Sequence, residues 1–172
     1  MIEILRLNHR IHRDERLTTH VALTSRAFLA SKLYYSGQKD SSFEDSIKKI
    51  NQKFGSSFEV EYANNPLNLI KQKQQQNYKT IHLTIYGLQF SKQLKNIKKH
   101  KNLLIIVGGA KVEPEYYKIS DYNISITSQP ISEVSALAIF LHEYLQGKEL
   151  TSEFKNAKTK IIPSKDKKLI KN

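Results

Sequence analysis

The sequence predicts an α/β protein with a mostly parallel sheet flanked by helices. Leu103–Val107 (LLIIV) is apolar at every position, as a strand covered on both faces must be. Thr80–Tyr86 (TIHLTIY) precedes it, with a short amphipathic helix near Ser91–His100 in between. Elsewhere strand-like and helix-like segments alternate, the pattern of crossover connections rather than hairpins.

The elements follow in order. Ile2–Leu7 alternates apolar and polar residues and reads as the first strand. An arginine-rich loop comes next. Thr18 or Thr19 is then placed to cap a helix from His20 to about Lys32, with Leu23, Ala27 and Ala30 on its apolar face. Leu33–Tyr35 is a short strand closed by Gly37. Ser42-Phe43-Glu44-Asp45 reads as a capping box opening a helix to Phe54, which Gly55 ends. Phe58–Tyr62 is a strand, and Pro66 sits in the first turn of a helix running into Gln76. Beyond LLIIV, Tyr122–Ile126 is a strand. Ile131–Leu145 is a helix whose apolar stripe runs through Val134, Leu137, Ala138, Leu141 and Leu145.

From Lys148 the character changes, with eight lysines against three acids in 25 residues and one strand-like island, Lys160–Pro163. The chain thus divides into a domain over residues 1–147 and a basic C-terminal extension over 148–172, docked or frayed.

The 172 residues carry a net charge of +12 and no cysteine. Disulfides, thiol catalysis and thiolate zinc sites are excluded together. Such a charge favours a polyanionic partner, of which nucleic acid is the commonest soluble one; a merely lysine-rich surface is the plainer reading. No apolar run approaches a membrane span and the N-terminus has no secretion-signal pattern, so a cytoplasmic protein is expected. His9, His12 and His20 match no zinc spacing, and no metal site is expected. His82 and His142 read as core or surface residues.

In open parallel sheets, ligands bind beyond the carboxyl ends of the strands. Three such ends are chemically suggestive: Thr84–Leu88 (TIYGL), Val107–Val112 (VGGAKV) and Thr127–Glu133 (TSQPISE). The glycines let backbone approach a ligand, and together the segments suit a flat, polar cofactor such as a nucleoside. Gly108-Gly109 lacks the Rossmann three-glycine spacing, and no Walker A sequence occurs.

Arginine is distributed unevenly. Arg6, Arg10, Arg13, Arg16 and Arg26 are the only five, while the other 23 basic residues are lysine. A guanidinium binds phosphate through two prongs and stacks on bases, which a lysine ammonium cannot do. Confining it to one loop and the following helix marks a site where that geometry matters, unless the cluster is a chance one offset by Asp14 and Glu15.

These segments resemble a known family. LRLNHRIHRDERLTTHVALTSRAF, VGGAKVEPEYY and SDYNISITSQPISEVSALAIFL are similar to three signature regions of the archaeal tRNA (cytidine-56-2'-O)-methyltransferases, members of the SPOUT superfamily. The resemblance spans residues 1 to about 163. It implies a SPOUT-type fold over residues 1–147 with a deep trefoil knot in its C-terminal part, and a homodimer to which the last helix contributes. It implies S-adenosyl-L-methionine as methyl donor and the T-loop region of tRNA as target, methylated on the ribose of cytidine 56. Carried over by position, cofactor contacts fall on Leu83, on Gly108, Gly109, Ala110, Lys111 and Val112, and on Ile126, Thr127, Ser128, Gln129, Pro130, Ile131, Ser132 and Glu133. Arg26 falls at the reacting hydroxyl, and Arg10, Arg13 and Arg16 face the tRNA. The chain departs from the family pattern at Asn8, Ala110, Thr127, Ser128 and Ile131. Other readings are a SPOUT enzyme with another RNA target and a non-catalytic basic RNA-binding module.

Overall fold

The computed structural model describes residues 1–109 and 111–171. Strand β1 (Ile2–His9) leads through a tight loop into α1 (Glu15–Ala27), then β2 (Lys32–Gly37), α2 (Ser41–Phe54), β3 (Glu59–Tyr62) and α3 (Pro66–Gln75). The second half runs β4 (Lys79–Gln89), α4 (Phe90–Ile97), β5 (Leu103–Val107), α5 (Pro114–Ile119), β6 (Tyr122–Ser125) and α6 (Glu133–Leu145). A 3-10 turn at Lys148–Thr151 precedes β7 (Lys160–Ile162) and β8 (Leu169–Lys171). Strands β1 to β6 form one sheet in the order β3-β2-β1-β5-β4-β6, and every pairing in it is parallel.

The pleat explains the two cores. Even-numbered residues of β1 face one side, so Ile2 and Ile4 pack with Val21 and Ala22 of α1 and with Leu137, Phe140 and Leu141 of α6. Leu5 and Leu7 face the other side, against Leu104, Ile106, Ile70 of α3 and Tyr116 of α5. LLIIV is fully buried throughout, as its unbroken apolarity requires.

Three boundaries differ from expectation, each for a local reason. Helix α1 begins at Glu15, not after Thr18 or Thr19, and ends at Ala27, because Leu29 turns left-handed with φ 62°. The Thr18 hydroxyl caps nothing; it meets His9 Nδ1 at 2.8 Å. Helix α2 is capped by Asp40, whose carboxylate accepts from the Phe43 N–H at 3.0 Å, two residues before the expected Ser42. Helix α5 and strand β8 have no counterpart in the sequence reading, both being too short to show a period.

His82 lies within β4, essentially unexposed, with Nδ1 3.0 Å from Asn123 Oδ1 and its ring edge-on to Tyr117. Burial holds its imidazole below the ordinary 6.5, against the raising effect of the Asn123 contact. The unfolded chain therefore takes up a proton first, so the stability this group contributes is present above about 6.5 and is lost as the pH falls through the folded value. Urea midpoints taken at pH 7.5 and 5.0 should diverge more for the native chain than for His82→Gln. Parallel falls in the two chains would remove this assignment.

The C-terminal residues fold back on the body of the molecule. The main chain of residues 155–157 passes over Gly55 (φ 68°), where a Cβ would meet the Lys155 carbonyl oxygen and stand 2.7 Å from the Ala157 nitrogen. The Thr159 N–H donates to the Lys53 carbonyl oxygen at 2.8 Å. Beyond it, β7 and β8 pair antiparallel.

Candidate active site

The carboxyl ends of β4, β5 and β6 open into one cleft of about 410 Å³. Its position follows from an irregularity in β4. Leu83 and Leu88 both pair with Ile124 of β6, so the residues between them loop out of the sheet and form a wall. Gly87 makes the return possible: a Cβ there would stand 2.5 Å from the Ile124 nitrogen and 2.6 Å from the Asn123 carbonyl oxygen.

Nine of the expected cofactor residues line this cleft: Leu83, Gly108, Gly109, Val112, Ile126, Thr127, Pro130, Ile131 and Glu133. Lys111, Ser128, Gln129 and Ser132 do not line it, and all four are exposed. Ala110 lies outside the described residues. Thr84, Ile85 and Tyr86, from the TIYGL strand exit singled out in the sequence, line the cleft too, and Tyr117, Ile124 and Ala136 join them without having been expected. Tyr117 and Ala136 depend on helices brought in by the fold.

Most of the wall is apolar, with one carboxylate. Glu133 opens α6, where negative charge is stabilised by the helix N-terminus, and Ser132 caps the same turn by accepting from the Val134 N–H. Behind Glu133 lies Arg6, only 1% exposed, whose Nη2 is 3.3 Å from Glu133 Oε1. Arg6 Nη1 donates to the Leu7 carbonyl oxygen, while Arg6 Nε and Glu133 Oε1 are buried without a hydrogen bond. Burial lowers the Arg6 guanidinium from its usual value, and the Glu133 carboxylate opposes that effect. Sequence reasoning assigned Arg6 no role because its neighbour in space is 127 positions away (133 minus 6).

The arginine loop is built on a buried polar platform. His9 is fully buried, and its Nε2 lies 3.3 Å from Asp40 Oδ2. Its Nδ1 contact with Thr18 ties the end of β1 to α1, and the Asp40 contact ties it to the start of α2. Asn8, where the resembled family carries glycine, has φ 58°, a conformation asparagine tolerates better than most residues. Within the loop, Arg10 Nε donates to Asp14 Oδ2 at 2.6 Å and Arg10 Nη2 to Asp14 Oδ1 at 3.1 Å. That two-pronged pair raises the Arg10 guanidinium and lowers the Asp14 carboxyl from their usual values. Arg13 and Arg16 are exposed.

Arg26 is elsewhere. Its Nε donates to Asn51 Oδ1 at 2.9 Å, its Nη2 donates to the Gly55 carbonyl oxygen, and its guanidinium lies 4.6 Å from the Phe154 ring centroid. It is not among the residues lining the cleft of its own chain. Burial draws its guanidinium below the usual value. Among the described residues no group of three or more histidine or acidic side chains could hold a metal ion, and no helix is long and apolar enough to cross a membrane.

The cleft's dimensions and lining suit a nucleoside-bearing ligand with a cationic centre: apolar faces for a flat ring, open backbone at Gly109, and a single carboxylate. Comparison with known proteins gives the family. Residues 54–171 match the family described as "tRNA ribose 2'-O-methyltransferase, aTrm56". The chain is 45% identical over 164 residues to the tRNA (cytidine(56)-2'-O)-methyltransferase of Methanobrevibacter smithii, covering 95% of this chain and 91% of that protein. It is 43% identical to the protein of the same name from Methanosphaera stadtmanae, covering 100% of this chain and 99% of the relative. Among solved structures, the A. aeolicus TrmH/SpoU tRNA modifying enzyme superposes with a TM-score of 0.64 at 16% identity, covering 87% of this chain and 76% of that one. On the match to its model and on identities above 40% over nearly the whole length, the chain belongs to the family of archaeal tRNA ribose 2'-O-methyltransferases.

Proposed function

We propose that this chain transfers a methyl group from S-adenosyl-L-methionine to the ribose 2'-oxygen of cytidine 56, in the T-loop region of tRNA. One observation carries the reading: the three strand-end segments that resemble the family's cofactor regions converge on one cleft. When bound, the donor would supply an electrophilic methyl on a sulfonium: the 2'-oxygen would take the methyl, the sulfur would leave as a neutral thioether and the hydroxyl proton would pass to water. The protein's own part is placement. Leu83, Ile126 and Ile131 exclude water and hold apolar faces, while the Glu133 carboxylate attracts a cationic donor over its neutral product.

The fold is read as SPOUT-type over residues 1–147, with a trefoil knot formed where the segment after β6 passes behind the β4 loop. The sheet order supports this reading, since β5 is inserted between β1 and β4 before β6 joins on the far side of β4. Residues 148–172 are taken as a basic extension that holds tRNA together with Arg13 and Arg16. Arg10, paired with Asp14, binds phosphate by exchanging one carboxylate prong for the nucleic acid. The enzyme acts in the cytoplasm as a homodimer with α6 at the interface, where the exposed Ile139 is available.

Arg26 is assigned to the reacting hydroxyl across that interface, because its own cleft does not contain it. Its guanidinium keeps its proton, so it orients the hydroxyl or a neighbouring phosphate rather than acting as a base. The test is transfer of labelled methyl to an unmodified archaeal tRNA transcript. Label on the ribose of cytidine 56 supports the function; label at another nucleotide reassigns the target; binding without transfer leaves an RNA-binding module. Arg26→Lys keeps the charge and loses the fork, and should slow transfer at least tenfold. An Arg26→Ala chain mixed with a Glu133→Gln chain should regain activity, since each supplies what the other lacks. No regain in confirmed mixed dimers would end the assignment across the interface.

A further inference from the structure

Among the described residues, Tyr86 is the one aromatic side chain classed as exposed, at 81%. Every other tyrosine and phenylalanine is buried or half-buried. A single exposed ring is ordinary on a protein surface, and what marks this one is where it stands. Tyr86 also lines the proposed cofactor cleft, at the exposed end of the β4 loop.

Its mounting is rigid. The Tyr86 N–H donates to Thr84 Oγ1 at 3.3 Å, and that hydroxyl also lies 3.0 Å from the Tyr117 hydroxyl. On the other side, Gly87 is wedged against the backbone of Asn123 and Ile124. A flat ring is thus presented at the mouth of the cleft with little backbone freedom to fold away.

We propose that Tyr86 is a stacking platform for the base of the nucleotide being methylated, resting on the reading of the cleft as a ribose methylation site. For the 2'-oxygen to reach the cleft, its nucleotide must leave its neighbours in the folded tRNA and lose their stacking. The loop arginines and tail lysines are read as phosphate contacts and do not line the cleft. Tyr86 supplies an apolar face at the place where the base attached to the reacting ribose must lie. Stacking on an aromatic side chain tolerates any base, so Tyr86 fixes position and leaves base identity to other contacts.

The test compares tRNA affinity, by fluorescence anisotropy, for the native chain, Tyr86→Phe and Tyr86→Ala. Each is measured with intact tRNA and with tRNA lacking the base at position 56. On intact tRNA, Tyr86→Phe should bind within about twofold of the native chain and Tyr86→Ala about 10- to 100-fold more weakly. Removing the base should weaken the native chain by a similar factor and leave Tyr86→Ala almost unchanged. Affinity for S-adenosylmethionine, measured on the same chains, should fall far less in Tyr86→Ala than affinity for tRNA does. The proposal is overturned if the native chain is insensitive to the missing base, or if Tyr86→Ala loses as much cofactor affinity as tRNA affinity. A shift of Tyr86→Ala to a smaller species in sedimentation would also overturn it, making the ring an interface residue. Methyl label on a nucleotide other than cytidine 56 would fault the target reading instead, and the base would then be removed there.

Discussion

Arg6→Met is expected to cost the fold about 3–5 kcal/mol, the penalty for removing one partner of a buried ion pair. The arginine is the bulkiest fully buried side chain, and its guanidinium faces Glu133 across 3.3 Å. Methionine fills much of the volume but leaves the carboxylate without a counter-charge. Glu133→Gln should be costly too, since it orphans the more deeply buried charge: the Arg6 side chain is 2% exposed against 18% for Glu133. The double variant Arg6→Met with Glu133→Gln should be more stable than the sum of the two losses predicts, because neither charge is then orphaned. Urea denaturation of the four chains forms a complete cycle. Additive losses would mean that the pair is not coupled. Calorimetry separates stability from function: the double variant should recover stability without recovering cofactor affinity, since no carboxylate then faces the cleft.

Gly87→Ala carries the second large effect. The added Cβ meets backbone atoms of Asn123 and Ile124 rather than a movable side chain. Overpacking of this kind costs about 1–3 kcal/mol, and here the strands themselves must shift. The displaced element is the β4 loop, so cofactor affinity should fall at least tenfold even where the chain remains folded. A Gly87→Ala chain with native cofactor affinity would show that the loop's shape does not set the cleft. Gly109→Ala is a control for stability alone, because no protein atom lies within 4 Å of the Cβ it would add.

Much of this was legible in advance, for identifiable reasons. LLIIV could hardly be anything but a central strand, and three glycine-bearing or polar strand exits marked the cleft before its geometry was known. Composition alone raised the arginine question, and the structure divides the answer. Arg6 supports the cleft, Arg10 is paired with Asp14, Arg13 and Arg16 are free to face solvent, and Arg26 is clasped between α2 and Phe154. Apart from Arg10 and Asp14, four positions apart, that division could not be read from spacing, because the other partnerships join residues that only the fold makes neighbours. The helix starts were misplaced for a related reason. Thr18 and Ser42 look like caps by type, but Thr18 is engaged by His9 and Asp40 reaches the α2 amide first. The course of residues 154–159 was equally hidden, since what holds them is a glycine without a side chain and a ring beneath an arginine.

The order of the sheet has a consequence for synthesis. Strand β1 finds β2 almost at once, but its other edge waits for β5, about a hundred residues later in the chain. At ~5–20 residues per second, the first three strands stand with that edge open for roughly 2–9 s before Val107 is made. The open edge is apolar and able to pair with another nascent chain. Slow, non-local closure of this kind makes yield depend on how many such chains are exposed at once, so soluble recovery should respond more to expression rate than to the stability of the finished protein.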